Sequence, residues 1–136
     1  MLDPSHKGRV YPPFSYTIER NKLREFVLAI DDDDPAYQTD DPPLPPTFPT
    51  VFTFWGGMNP EAYLRELGVD FVNVLHSEQE YEYLAPIHIG DTVTGQTRIA
   101  DIYARGELEF IELLTEYTNQ HGTPVLRDRA TIIVRH

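Results

Sequence analysis

The chain has no cysteine. That excludes a thiolate nucleophile, a disulfide frame and a thiolate metal site. Basic residues are few: 11 Lys and Arg stand against 22 Asp and Glu, for a net charge of −11. A field of that sign repels phosphate backbones, and the cations form no stripe for a groove, so nucleic acid is not an expected ligand. No apolar run approaches the length of a membrane span. Met1-Leu2-Asp3-Pro4 does not read as a signal peptide, and a cytoplasmic protein with no membrane contact is the expectation. His6, His88, His121 and His136 fall in termini or turns without ligand spacing, so neither a metal nor another cofactor is expected.

What is present fits one domain over residues 1–136, which at this length buries about two-thirds of the surface its unfolded chain exposes. Hydrophobic residues make up 40% of it. Most of the twelve prolines mark two irregular stretches, Pro12-Pro13 and the run from Pro35 to Pro49. Between them, Asp31-Asp32-Asp33-Asp34-Pro35-Ala36-Tyr37 is the most unusual segment. Consecutive carboxylates repel, and proline moves Asp34 out of the α region, so a loop is required. Such a loop is either simply solvated, or it turns one carboxylate inward as a base or substrate anchor.

Val10 to Ile18 reads as an extended segment entering a strand. In Arg20 to Ile30, Leu23, Phe26, Val27 and Ile30 fall at i, i+3, i+4 and i+7, the stripe of an amphipathic helix, with Glu19 or Thr17 as its cap. Thr47 to Trp55 repeats that spacing with Phe48, Val51, Phe52 and Trp55 but has no charged face, so it reads as a helix buried on most sides. Thr47 is its N-cap and Gly56-Gly57 its stop. A short helix from Pro60 to Leu67 is capped by Asn59 and stopped by Gly68.

From Val69 the period becomes two. Leu75, Gln79, Tyr81 and Tyr83 form a dressed face, and His76, Glu78, Glu80 and Glu82 a wet acidic one. Strands over Thr92–Tyr103, Leu108–Thr118 and Val125–Val134 follow, joined by short turns. In the last, Val125, Arg127, Arg129, Thr131 and Ile133 alternate with Leu126, Ala130, Ile132 and Val134. Asp91 fixes a turn. The sheet must cover its apolar face, and the available cover is the buried helix. The fold class expected is α+β: a curved antiparallel sheet wrapped around a central helix at about Thr47–Trp55.

The residues also resemble a known family. Tyr16-Thr-Ile-Glu-Arg, Asp34-Pro-Ala-Tyr37, Pro45-Pro-Thr-Phe48, Leu75-His-Ser-Glu-Gln79, Pro86-Ile-His-Ile-Gly-Asp91 and Arg129-Ala-Thr-Ile-Ile-Val-Arg135 occur in the order and spacing of MaoC-like dehydratases of the N-terminal, FAS1-like type. The resemblance implies a hot-dog domain and (R)-specific hydration of trans-2-enoyl thioesters, or the reverse dehydration, on coenzyme A or acyl carrier protein. Active members place an aspartate and a histidine as Asp-x-Asn-Pro-x-His. Here Asp32 falls on the aspartate position and Tyr37 on the histidine position. With an ordinary pKa of about 10, tyrosine is a poor base at neutral pH.

The resemblance further implies thioester contacts from the backbone N–H groups of Thr47 or Phe48, with Gln79 as an additional substrate contact. His76 is either a strand histidine near a subunit interface, the reading the residues favour, or a group touching water or thioester. A dyad lacking its histidine implies a homodimer, or a heterodimer with a MaoC-like subunit that carries Asp…His. A non-catalytic acyl-thioester binding or scaffolding module is the alternative. A third reading has the chain hydrating alone, with Asp32 beside Tyr37 or His76. Many hot-dog thioesterases carry a catalytic Asp or Glu on or beside the central helix. Thr47–Gly57 has none, which counts against that activity.

Overall fold

The computed structural model describes residues 1–56 and 59–136. The elements run β1 (Phe14–Thr17), α1 (Arg20–Ala29), α2 (Thr50–Trp55), α3 (Pro60–Glu66), β2 (Val74–Tyr83), β3 (Thr92–Arg105), β4 (Leu108–Thr118) and β5 (Pro124–Val134). Short 3₁₀ turns cover Pro4–His6, Pro35–Gln38 and Phe71–Asn73. The five strands form one antiparallel sheet in the order β1-β3-β4-β5-β2. Helix α2 packs on its inner face, as the alternation and the uncharged helix require.

The expected strand from Val10 is shorter. Val10 makes only an isolated bridge to Arg98, and ladder pairing begins at Phe14, after two prolines that have no N–H to give. Helix α1 buries Leu23 and Val27. It ends in a Schellman motif: the Asp32 N–H donates to Val27 C=O and the Asp31 N–H to Leu28 C=O. Asp31 has φ 54°, taking the left-handed place that glycine usually fills. The acidic loop therefore begins as a helix stop.

The central helix differs from its expected limits. It starts at Thr50 behind Pro49, with no side-chain cap, while residues 46–49 form a turn. Phe48 and Phe52 are fully buried against α1 and the sheet. Each such ring contributes about 3 kcal/mol of burial. Trp55, predicted on the buried stripe, is exposed instead, with the Lys22 ammonium 4.6 Å from its ring centroid. The helix has less than two turns, so its end clears the sheet. The predicted stop at Gly57 lies outside the described residues. Asn59 caps α3 as expected, accepting from the Glu61 and Ala62 N–H groups. Asp91 fixes its turn by accepting from the His88 N–H and the Gln120 amide.

Strand β2 corrects the period-two reading. A bulge between His76 and Glu78 inserts Ser77 without a partner. The bulge shifts the phase, so His76, opposite Ile132, joins Gln79, Tyr81 and Tyr83 on the inner face. It does not lie on the acidic face assigned to it from sequence.

Candidate active site

Two apolar clusters sit under the sheet. One is built on Phe48, Phe52, Tyr117 and Leu126, the other on Leu64, Ile99, Ile111 and Val134. Between them lies a cavity of about 510 Å³. That volume is within the usual range for small-ligand pockets, about 300–1,000 Å³. Leu64, Leu67, Ile111, Leu113 and Ile132 give it apolar walls.

A polar band crosses those walls. Thr47, Thr50 and Thr53 repeat every third residue, so the helical turn and α2 present one hydroxyl stripe to the cavity. Thr50 shares a 2.8 Å hydrogen bond with the Tyr81 hydroxyl. From the strands, Thr97 and Thr115 meet at 2.7 Å. Across from them, the His76 Nε2–H donates to Gln79 Oε1 at 3.0 Å. The Gln79 amide then donates to Asp128 Oδ1 and to the Arg129 C=O.

Asp128 is only 6% exposed. Burial pushes its carboxyl up to about 6, an effect that the Gln79 amide and His76 partly offset. A buried acid poised that near neutrality can donate or accept a proton in the cavity.

The structure sorts the predicted residues into three places. His76, Gln79 and Thr47 share the cavity wall. Asp32 and Tyr37 are not on it. The Asp32 carboxylate accepts from the Asp34 N–H at 3.0 Å, and that of Asp34 from the Ala36 N–H at 2.9 Å, so both organise the turn. Tyr37 packs against the first cluster, and burial together with Asp32 and Asp34 raises its hydroxyl above the ordinary value. Phe48 is core: its N–H donates to Pro45 C=O at 2.9 Å and its ring meets Phe26 and Phe52. It therefore has neither the free N–H nor the exposed surface of a substrate contact.

Sequence reasoning missed Asp128. The signal was available: Asp128 falls in phase with Leu126, Ala130, Ile132 and Val134, the inward face of β5.

Comparison with known proteins decides the family. The description FAS1-like, dehydratase domain region, matches residues 5–128. The chain belongs to this family. A relative from Saccharopolyspora erythraea, named UPF0336 protein, is 32% identical over 98% of this chain and 92% of its own. Among solved structures, the C-terminally truncated HadBC (3R-hydroxyacyl-ACP dehydratase) complex from Mycobacterium tuberculosis aligns with TM-score 0.78. It is 21% identical, over 94% of this chain and 96% of that one. A MaoC-like dehydratase from Phytophthora capsici aligns with TM-score 0.82 at 21% identity, over 99% of this chain and 50% of that one. The fold of this FAS1-like dehydratase domain is thus the hot-dog fold of MaoC-like dehydratases, as the resemblance implied.

Proposed function

We propose that the chain is one half of an (R)-specific enoyl-thioester hydratase, or equally a 3-hydroxyacyl-thioester dehydratase. Its apolar cavity takes the acyl chain, and a partner hot-dog subunit supplies the base. In hydration, that base withdraws a proton from water as the water oxygen bonds to C3. The C2=C3 electron pair moves toward the thioester carbonyl, and a proton is delivered to C2. The observation that carries this reading is Tyr37. By the resemblance it falls on the histidine position of the dyad, and burial and two carboxylates raise its hydroxyl above the ordinary value. Such a group takes no proton from water at neutral pH. Thr47, on the cavity wall, is the candidate backbone donor to the carbonyl, because the Phe48 N–H is already bonded. The HadBC complex, whose fold this chain shares, is a 3R-hydroxyacyl-ACP dehydratase complex.

The test is hydration of a trans-2-enoyl-CoA by the purified chain alone, by Asp32→Asn, and by the chain mixed with a subunit carrying Asp-x-Asn-Pro-x-His. Activity only in the mixture is expected. Asp128 favours a second reading, in which the cavity's own acid serves as the base. That reading requires turnover by the chain alone, abolished in Asp128→Asn and retained in Asp32→Asn. Binding without turnover in every mixture would leave an acyl-thioester binding module.

A further inference from the structure

The edge strand β2 carries a charge pattern that selects its neighbour. It is the free edge next to β5. Its outward residues are Glu78, Glu80 and Glu82, and the register places each in a row across the sheet. Glu82 lies beside Arg127, and Arg127 beside Glu116, at 3.5 and 3.9 Å. Glu80 lies beside Arg129, with Leu114 beyond. Glu78 lies beside Thr131, with Glu112 beyond. Over β2, β5 and β4 these rows hold five carboxylates (Glu78, Glu80, Glu82, Glu112, Glu116) and two guanidiniums (Arg127, Arg129), so the edge remains acidic after its own pairing. Exposed apolar side chains flank it: Phe71, Val72 and Leu75 at one end, Tyr83 and Leu84 at the other. A free strand edge with apolar ends is a ready template for another strand.

Two copies pairing antiparallel through β2, outer faces aligned and centred on Glu80, would set Glu80 against Glu80 and Glu78 against Glu82. Like charges directly opposite on a sheet are destabilising. From these rows we infer that β2 docks the free edge strand of a second, different hot-dog subunit, one that presents lysine or arginine opposite Glu78, Glu80 and Glu82. The acidic edge repels its own copy and admits a basic partner. This inference rests on the partner hot-dog subunit proposed above and adds where it docks and the chemistry of its edge.

Three forms test it: the wild type, Glu78→Lys/Glu80→Lys/Glu82→Lys, and Glu78→Gln/Glu80→Gln/Glu82→Gln. Sedimentation is read for each alone and for the wild type mixed with the lysine form. Measurements are made at low salt, where the Debye length is about 30 Å, and at ~1 M, where it is about 3 Å. At low salt the wild type and the lysine form are each expected to be monomers, and their mixture a heterodimer. The glutamine form is expected to self-associate roughly tenfold more tightly than the wild type, a gap that salt narrows. The glutamine form keeps the test decisive should the lysine form fail to fold. A mixture that stays monomeric, or a wild-type dimer as tight as that of the glutamine form at every salt, overturns the inference. The pairing reading fails separately, in the activity assay, if no subunit carrying Asp…His restores turnover.

Discussion

Asp128 sits where the alternation of β5 calls for an apolar side chain, and that has a measurable consequence. Its folded pKa, about 6, lies above the ordinary carboxylate value of 3.8. The folded state therefore binds more protons than the unfolded state between these two values, and stability falls as pH rises through that window. The full difference corresponds to about 3 kcal/mol, present as a penalty above pH ~6. Asp91 and Glu109 are shifted the other way, through the Gln120 amide and His88 N–H in one case and His136 and the Leu2 N–H in the other. Their contribution is lost only as pH falls through their lowered values. Asp128→Asn keeps an acceptor for Gln79 and removes the charge. Urea unfolding of both forms from pH 4 to 8 should show the variant more stable at pH 7, by up to about 3 kcal/mol, and the two forms converging near pH 4. Equal stability at both ends would mean that Asp128 titrates as an ordinary surface acid. The loop at Asp31–Tyr37 was legible because its carboxylates and proline act locally in the chain. The place of Asp128 on the inward face of β5 was legible as well, but its role was not, because that role depends on two neighbours brought in from β2.

At the scale of elements, the strands were legible from period two and the helices from their stripes. The deviations come from single residues that change phase. Ser77 is one: by bulging out, it moves His76 from the acidic face to the cavity, which no alternation rule foresees. Gly95 keeps the register but is a single-residue requirement of another kind, because β3 passes close to the core there. A Cβ there would stand 2.5 Å from Tyr117 Cε1 and 3.0 Å from Phe14 Cζ. Tyr117 is almost wholly buried and packs edge-on against both Phe14 and Phe52, so it has no room to yield. Gly95→Ala is therefore expected to cost about 1–3 kcal/mol, the usual cost of overpacking. The check is a lowered denaturation midpoint at unchanged m-value. The same substitution at Gly106, whose Cβ would meet nothing, would cost only what its φ of 63° imposes.

At the scale of the whole molecule, the sheet and α2 were foreseeable because an antiparallel sheet must cover one face, but the space between them was not. A cavity is what packing leaves unfilled, and no residue type announces it. Only the threonine stripe Thr47, Thr50, Thr53 hinted that one side of the central helix faces something other than core. If that space binds the acyl chain, ligand should stabilise the fold in proportion to RT ln(1 + [L]/Kd), about 2.7 kcal/mol at a hundredfold excess over Kd. The rise should grow with acyl length, since each buried CH₂ adds about 0.8 kcal/mol, and coenzyme A alone should give little. Ala130, on the inner face of β5 opposite Gln79, projects from that wall. Ala130→Phe would fill part of the cavity beside Gln79, away from the dyad loop and from the outward carboxylates of β2. Thermal unfolding of the variant should then lose the dependence on acyl length while keeping its midpoint without ligand near that of the wild type. A variant that still tracks acyl length would place the chain elsewhere, and the cavity would then be an unoccupied gap between two cores.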